Sequence, residues 1–220
     1  MKLAVALRML ALGALTLAPT GGHAVNNIAI EIEIHHDVDD APSTLVQTTS
    51  LASFGPFRVV APDRVELDGS IESETPSQFK AMLEQHPAIR QIVMVDCPGT
   101  GDDIANLLLA RMIRKANITT YVPNGGSVRS GGVELFLAGS KRHADPGAEF
   151  AVHSWLDEDG MEPEDFAESD PVNQEYVAYY REMGMSADKA RAFYALTNSV
   201  AHDEALYLKP RDIAAYIPLD

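Results

Sequence analysis

Gly126-Ser127-Val128-Arg129-Ser130-Gly131-Gly132, running on into Val133-Glu134-Leu135-Phe136-Leu137-Ala138-Gly139, is the stretch that decides the fold. It predicts a strand that gives way to an apolar helix, with Ser130 held between small residues at the junction. A serine so placed is a candidate nucleophile. Glu149-Phe150-Ala151-Val152 predicts a short buried strand that delivers His153 at its end, ahead of Ser154-Trp155. Serine and histidine can then meet in the folded chain.

Working outward, Phe57 to Val60 and Arg64 to Leu67 predict strands, Gly69 a turn, and Pro76 to Glu84 a helix. The apolar run Ile89 to Val95 fits a buried parallel strand, followed by a loop from Asp96 to Gly101 and a helix from Asp102 to Lys115. On that helix Ile104, Leu107, Leu108, Met112 and Ile113 are expected to form the buried face. Thr119 to Val122 is the next strand, and the serine helix follows it. Repeated βα units with right-handed crossovers make this an α/β chain. Helices are expected around Gln174 to Met183, Ala187 to Leu196 and Pro210 to Tyr216. Ala41 to Ser53 reads as a connecting loop.

At the N-terminus Lys2 and Arg8 precede the apolar run Met9 to Ala18, and small residues lead to Ala24. That is the pattern of a secretory signal peptide over residues 1–24, with cleavage after Ala24 or Ala18, and it predicts a periplasmic or secreted protein. Residues 25–220 then form one domain. The run is too short to cross a bilayer, and no membrane span is expected in the mature chain. Loss of Lys2 and Arg8 takes the formal charge from -15 to -17, which disfavours nucleic acid and anionic membranes as partners. Cys97 is the single cysteine, so no intramolecular disulfide can form; its place at a core strand's end predicts a buried, inert thiol.

Two segments raise the question of metal. Ile28 to Ile34 alternates as a half-exposed strand, and His35, His36, Asp37, Asp39 and Asp40 follow it. The acidic stretch from Asp157 to Asp170 is the other. Neither has the spacing of a zinc or calcium site, and both read as solvated loops, so no metal is expected.

Arg64 to Gly69, Asp96-Cys97-Pro98-Gly99-Thr100, Gly126 to Gly139 and Ala151-Val152-His153 together resemble the proteolytic subunit of the Clp protease in order and spacing. Leu206 to Tyr216 resembles that family's closing strand and helix. The resemblance implies a single crotonase-like, Clp-protease-like domain with C-terminal helices, in an exported bacterial branch, and assembly into a homo-oligomer. Val133 to Leu137 and the aromatic C-terminal helices are the expected contact surfaces. It also implies Ser130 as nucleophile, His153 as base, and the backbone N–H groups of Thr100 and Gly131 as oxyanion hole. The third triad member should lie shortly before Tyr207, where Asp203 has the right chemistry; Asn198, Asp170 or no third member are the alternatives.

The residues depart from the family at several points. Thr100 replaces the second glycine of a Pro-Gly-Gly turn, and a β-branched residue there would strain the hole if that position needs a positive φ. Asp96 and Cys97 replace Asn and Ser, and Ser154-Trp155 replaces Gln-Pro.

A serine hydroxyl needs a base within reach, and an imidazole changes charge near neutral pH. Gly131 N–H, at a helix start, points its dipole toward a developing oxyanion. Each residue also has a plainer reading: Ser130 as a helix N-cap, His153 as a satisfied polar residue, Arg129 as a surface cation and Trp155 as packing. Lys141, in a Ser-Lys dyad, would have to reach back along its own helix.

The sequence thus predicts an exported serine hydrolase of the peptidase type, acting on peptide or small acyl substrates without cofactor. No P-loop is present, so ATP is not required. The rival is a non-catalytic binding or assembly protein that retains the fold. Acyl-CoA chemistry is disfavoured by the acidic chain, which offers no basic patch for a nucleotide.

Overall fold

The computed structural model describes residues 50–220. The signal-peptide segment, the Ile28 to Ile34 alternation and the His35 to Asp40 cluster lie outside the described residues. The chain opens with three strands, β1 (Ala52–Phe54), β2 (Phe57–Ala61) and β3 (Arg64–Asp68), joined antiparallel. Helix α1 (Thr75–Gln85) carries it to β4 (Gln91–Cys97), which runs parallel to β3. Helix α2 (Asp103–Lys115) follows, with Asp102 accepting from Ala105 N–H at its N-cap and Arg114 and Lys115 in its last turn. Then come β5 (Thr119–Val122), β6 (Ser127–Arg129), α3 (Gly131–Leu137), β7 (Arg142–Ala144) and β8 (Glu149–Val152). Helices α4 (Pro171–Glu182) and α5 (Ala187–Thr197), strand β9 (Leu206–Leu208) and helix α6 (Pro210–Ala214) complete the chain.

The sheet forks at β4. Its first half pairs with β5 through Gln91, Ile92 and Val93, and its last residues, Asp96 and Cys97, pair with β6. β7 extends the β5 branch; β8 and then antiparallel β9 extend the β6 branch. This fork explains why β4 runs past the apolar segment to Cys97, where the sequence predicted a loop. Helix α3 touches β5, β6 and β8 and is buried along its whole length. A helix enclosed on all sides must be apolar almost all round, which is why this one reads as a hydrophobic run broken only by Glu134. Phe136 packs on Phe150 of β8 with ring centroids 4.8 Å apart. Buried Arg142 closes the helix end by donating to Leu137 O at 2.7 Å and, across to α4, to Met183 O at 2.6 Å.

Four expectations need correction. Ile104 and Leu108 on α2 are 84% and 51% exposed, and the buried stripe runs instead through Asn106, Leu107, Leu109, Ala110 and Ile113. Packing against both α1 and α3 rotates that stripe, and periodicity alone cannot choose between two apolar stripes. Val133 to Leu137 is core, as are Tyr179, Tyr180 and Phe193, so these side chains cannot form a contact surface between subunits. β1 begins inside the stretch read as a loop, in a hairpin that turns at Gly55, whose φ is 56°. β7, three residues long, was not foreseen.

Candidate active site

Strands β4, β6 and β8 are parallel neighbours, so their C-terminal ends open side by side. Each hands over to a short connection: Pro98-Gly99-Thr100 after β4, Ser130 after β6 and His153 after β8. Ligands in open α/β sheets bind in this position, beyond the carboxyl ends of the strands.

Ser130 sits in a conformation that side chains rarely adopt, with φ 49° and ψ -131°. Such a backbone costs about 1–3 kcal/mol and persists only where the surroundings over-determine it. Here its N–H donates to Ala151 O on β8 at 2.8 Å, and its carbonyl accepts from Val133 N–H at 2.9 Å. Its side chain makes no cap hydrogen bond, so the N-cap reading is excluded. The neighbours must be small. A Cβ on Gly99, itself at φ 135°, would stand 2.9 Å from Ser130 Cβ, and one on Gly131 would stand 2.6 Å from Thr100 Cγ2. Asn106 of α2 holds the turn from below, donating from Nδ2 to Gly131 O at 2.8 Å. Its Oδ1 is the one buried side-chain polar atom without a partner among the described residues.

Thr100 does not have a positive φ, so the strain expected of a threonine there does not arise. Its Oγ1 accepts from Asp102 N–H at 2.9 Å and ties the turn to the start of α2. The backbone N–H groups of Thr100 and Gly131 have no acceptor among the described residues.

His153 Nδ1 lies 2.8 Å from Ser154 O. A carbonyl only accepts, so this contact places the proton on Nδ1 and leaves Nε2 with its lone pair. His202 approaches edge-on, with ring centroids 4.8 Å apart, and its Nδ1 lies 2.9 Å from the same carbonyl. Ser154 N–H in turn donates to Val200 O, so the segment after α5 is stitched to the end of β8. Ser130 and His153 make no direct hydrogen bond. They line two recesses together: an open groove of about 400 Å³ with Glu72, Thr100 and His202, and a narrow cavity of about 40 Å³.

None of the proposed third members hydrogen-bonds to His153 among the described residues. Asp203 is exposed in the turn before β9, and no ion pair or hydrogen bond joins it to His153 among the described residues. Ser154 O occupies the ring nitrogen that an aspartate would have engaged. Asn198 donates to Tyr194 O, and Asp170 caps α4 by accepting from Val172 N–H. Lys141 lies beyond the far end of α3, exposed to solvent. Arg129 is half-buried and pairs with Asp96 at 2.9 Å. Cys97 is fully buried, and desolvation pushes its thiol up to about 12. Trp155 lines the narrow cavity, donates to Tyr194 Oη at 2.8 Å and packs on Phe166. In the acidic segment Asp157 Oδ1 accepts from the N–H groups of Asp159 and Met161, and Glu162 Oε1 accepts from His202 N–H at 3.2 Å.

Sequence reasoning passed over Glu134, Asp103 and Tyr176, which line the narrow cavity with Ser130 and His153. Glu134 was visible as the one charge in an apolar helix. It is 6% exposed, its Oε1 accepts from Tyr180 Oη at 2.6 Å, and burial raises its carboxyl to about 7 against the opposing pull of that hydrogen bond. Asp103, at the start of α2, is also raised; desolvation outweighs Tyr176 and the attraction of His202 and His153.

No family model matches the chain, and no curated protein matches it by sequence. Among solved structures it is similar to a ClpP1 variant from Listeria monocytogenes, with 19% identity, 72% of this chain and 89% of that one covered, and a TM-score of 0.51. It is also similar to the 1510-N membrane protease specific for a stomatin homolog from Pyrococcus horikoshii, with 20% identity, 70% and 69% covered, and a TM-score of 0.46. The chain has a ClpP-like fold.

Two outcomes follow from the geometry. Ser130→Gly relieves the backbone strain that Ser130→Ala keeps, so in urea denaturation the glycine variant should be the more stable of the two by about 1 kcal/mol. Equal stabilities would mean that no strain is stored. For Glu134, the folded chain keeps a proton between its ordinary 4.5 and about 7 that the unfolded chain has lost. Its contribution therefore falls as pH rises through that window and is flat above it. Glu134→Gln should match the wild type near the lower limit and exceed it by about 1–3 kcal/mol above the upper one, measured by urea denaturation at each pH.

Proposed function

We propose that this chain is an exported, ATP-independent serine hydrolase of the peptidase type, acting on peptide or small acyl substrates. The observation that carries the reading is Ser130, held at φ 49° between a free pair of N–H groups and a histidine whose lone pair is on Nε2. Strain of this kind collects where a nucleophile must stand proud of its backbone. The N-terminal charge and hydropathy pattern supports export.

In the reaction, Ser130 Oγ attacks the substrate carbonyl while His153 Nε2 takes its proton. The tetrahedral oxyanion is received by the N–H groups of Gly131 and Thr100. Collapse expels the leaving group, which takes the proton from His153, and leaves an acyl group on Ser130. Water, deprotonated by His153, then attacks that ester, and His153 returns the proton to Ser130 Oγ as the acid is freed. Ser154 O holds the imidazole in its working tautomer, as a triad aspartate would. It is neutral and so stabilises the imidazolium less than a carboxylate does, which points to slow turnover and a dyad chemistry. The groove past Thr100 gives an extended substrate room to lie across the site.

The non-catalytic alternative expects either Asp203 and His153 too far apart or an occluded Ser130, and no hydrogen bond joins Asp203 to His153 among the described residues. Ser130 is only part-buried and borders the open groove. Homo-oligomerisation is part of the proposal, and the exposed pair Ile104 and Leu108 on α2 is the apolar surface that supports it.

The test is reaction with a fluorophosphonate probe, read by intact mass. The wild type should gain one adduct on Ser130, Ser130→Ala none, and His153→Ala should react at least about 100-fold more slowly, the scale of a lost general base. Asp203→Asn should react within about threefold of the wild type. A folded wild type that gains no adduct would overturn the hydrolase reading.

A further inference from the structure

The narrow cavity beside Ser130 carries an inference about what the site accepts; it rests on the hydrolase reading for its meaning, though not for its test. Its lining is unusual for a pocket in a protein core. Glu134 sits one turn along α3 from the nucleophile, more than nine-tenths buried, with Oε1 engaged by Tyr180. Tyr180 is the only side chain that donates to this carboxyl among the described residues. Asp103 enters the same space from α2, and Thr197 of α5 and Tyr176 of α4 add hydroxyl groups that can accept. No lysine or arginine lines the cavity. The polar side chains from α2, α3, α4 and α5 therefore supply oxygen, and two of them, Glu134 and Asp103, supply negative charge.

We infer that this cavity is a specificity pocket for a primary ammonium group, so that the site prefers substrates with a lysine-like side chain next to the bond that Ser130 attacks. Size limits the head group. The cavity holds about 40 Å³, room for a compact head group of a few water-sized atoms and not for an aromatic ring. An ammonium is compact, carries three donors and rides on a slim alkyl stem. Trp155 and Val152 supply apolar wall for that stem.

Burial makes the pairing selective. An unpaired carboxylate in this space is costly, and an incoming cation removes the cost; a neutral side chain leaves it in place. Binding of the cation therefore pulls the proton off Glu134. The charged and titratable groups around that carboxyl are Asp103 of α2, Tyr176, Tyr179 and Tyr180 of α4, and His153 after β8. Among them only His153 can be positive, so nothing else in the cavity competes for the carboxylate. Affinity for an ammonium should rise with pH until Glu134 is ionised.

The only tryptophan of the chain, Trp155, lines the cavity and reports its occupancy without any need for catalysis. Titration with n-butylammonium should change Trp155 fluorescence saturably, with 1-butanol at least tenfold weaker. Glu134→Gln keeps an acceptor for Tyr180 and should weaken n-butylammonium at least tenfold. Asp103→Asn, at the helix start, should weaken it to a lesser degree and serves as the test if the core variant does not fold. Equal responses to n-butylammonium and 1-butanol, or no change in either variant, would overturn the pocket assignment. If the fluorophosphonate adduct forms, the ratio of kcat/KM for lysine to norleucine thioesters should drop at least tenfold in Glu134→Gln. A binding response with no adduct would sink the hydrolase reading and leave the ammonium pocket standing.

Discussion

The hydrogen bond from Ser130 N–H to Ala151 O is the contact on which the site depends. It joins the end of β6 to β8 and fixes the serine in a backbone conformation that only its surroundings can maintain. Three features of the sequence serve that bond. Gly99 and Gly131 leave room for the neighbouring turn, Asn106 holds Gly131 from α2, and the buried apolar side chains of α3 anchor the helix that the turn begins. Because β4, β6 and β8 are parallel neighbours, the same register that seats Ser130 brings the Thr100 turn and His153 to its two sides.

Electrostatics divide the site into two parts. On the groove side, free N–H groups and the N-terminus of α3 offer partial positive charge to a developing oxyanion. On the cavity side, Glu134 and Asp103 offer negative charge. The two lie on either side of one serine. A single peptide bond with a cationic side chain can satisfy both at once. The His153 and His202 pair around Ser154 O sits between them and sets which imidazole nitrogen carries the proton.

Much of the α/β framework was legible in the sequence, because buried parallel strands and the enclosed helix α3 leave long apolar runs that only a core can explain. Ser130 after β6 and His153 after β8 lie where their local patterns placed them. What could not be read depends on three-dimensional pairing. The fork of β4 assigns Asp96 and Cys97 to a strand because β6 meets them there. The choice between the Ile104 and Leu109 stripes of α2 is made by two packing partners. The residue types before Tyr207 point to Asp203, whereas the group that engages His153 is a backbone carbonyl, invisible to any pattern of side chains. Glu134 was a signal left unused: a lone carboxyl in an apolar helix is either strongly held or purposeful.

The most direct measurement is a crystal structure of the fluorophosphonate adduct. The expected result is phosphorus bonded to Ser130 Oγ, its oxygen within hydrogen-bond distance of both Thr100 and Gly131 N–H, and His153 Nε2 facing Oγ. An adduct on another residue, or an oxygen turned to solvent away from those two N–H groups, would contradict the assignment of this strand-end junction as a catalytic site.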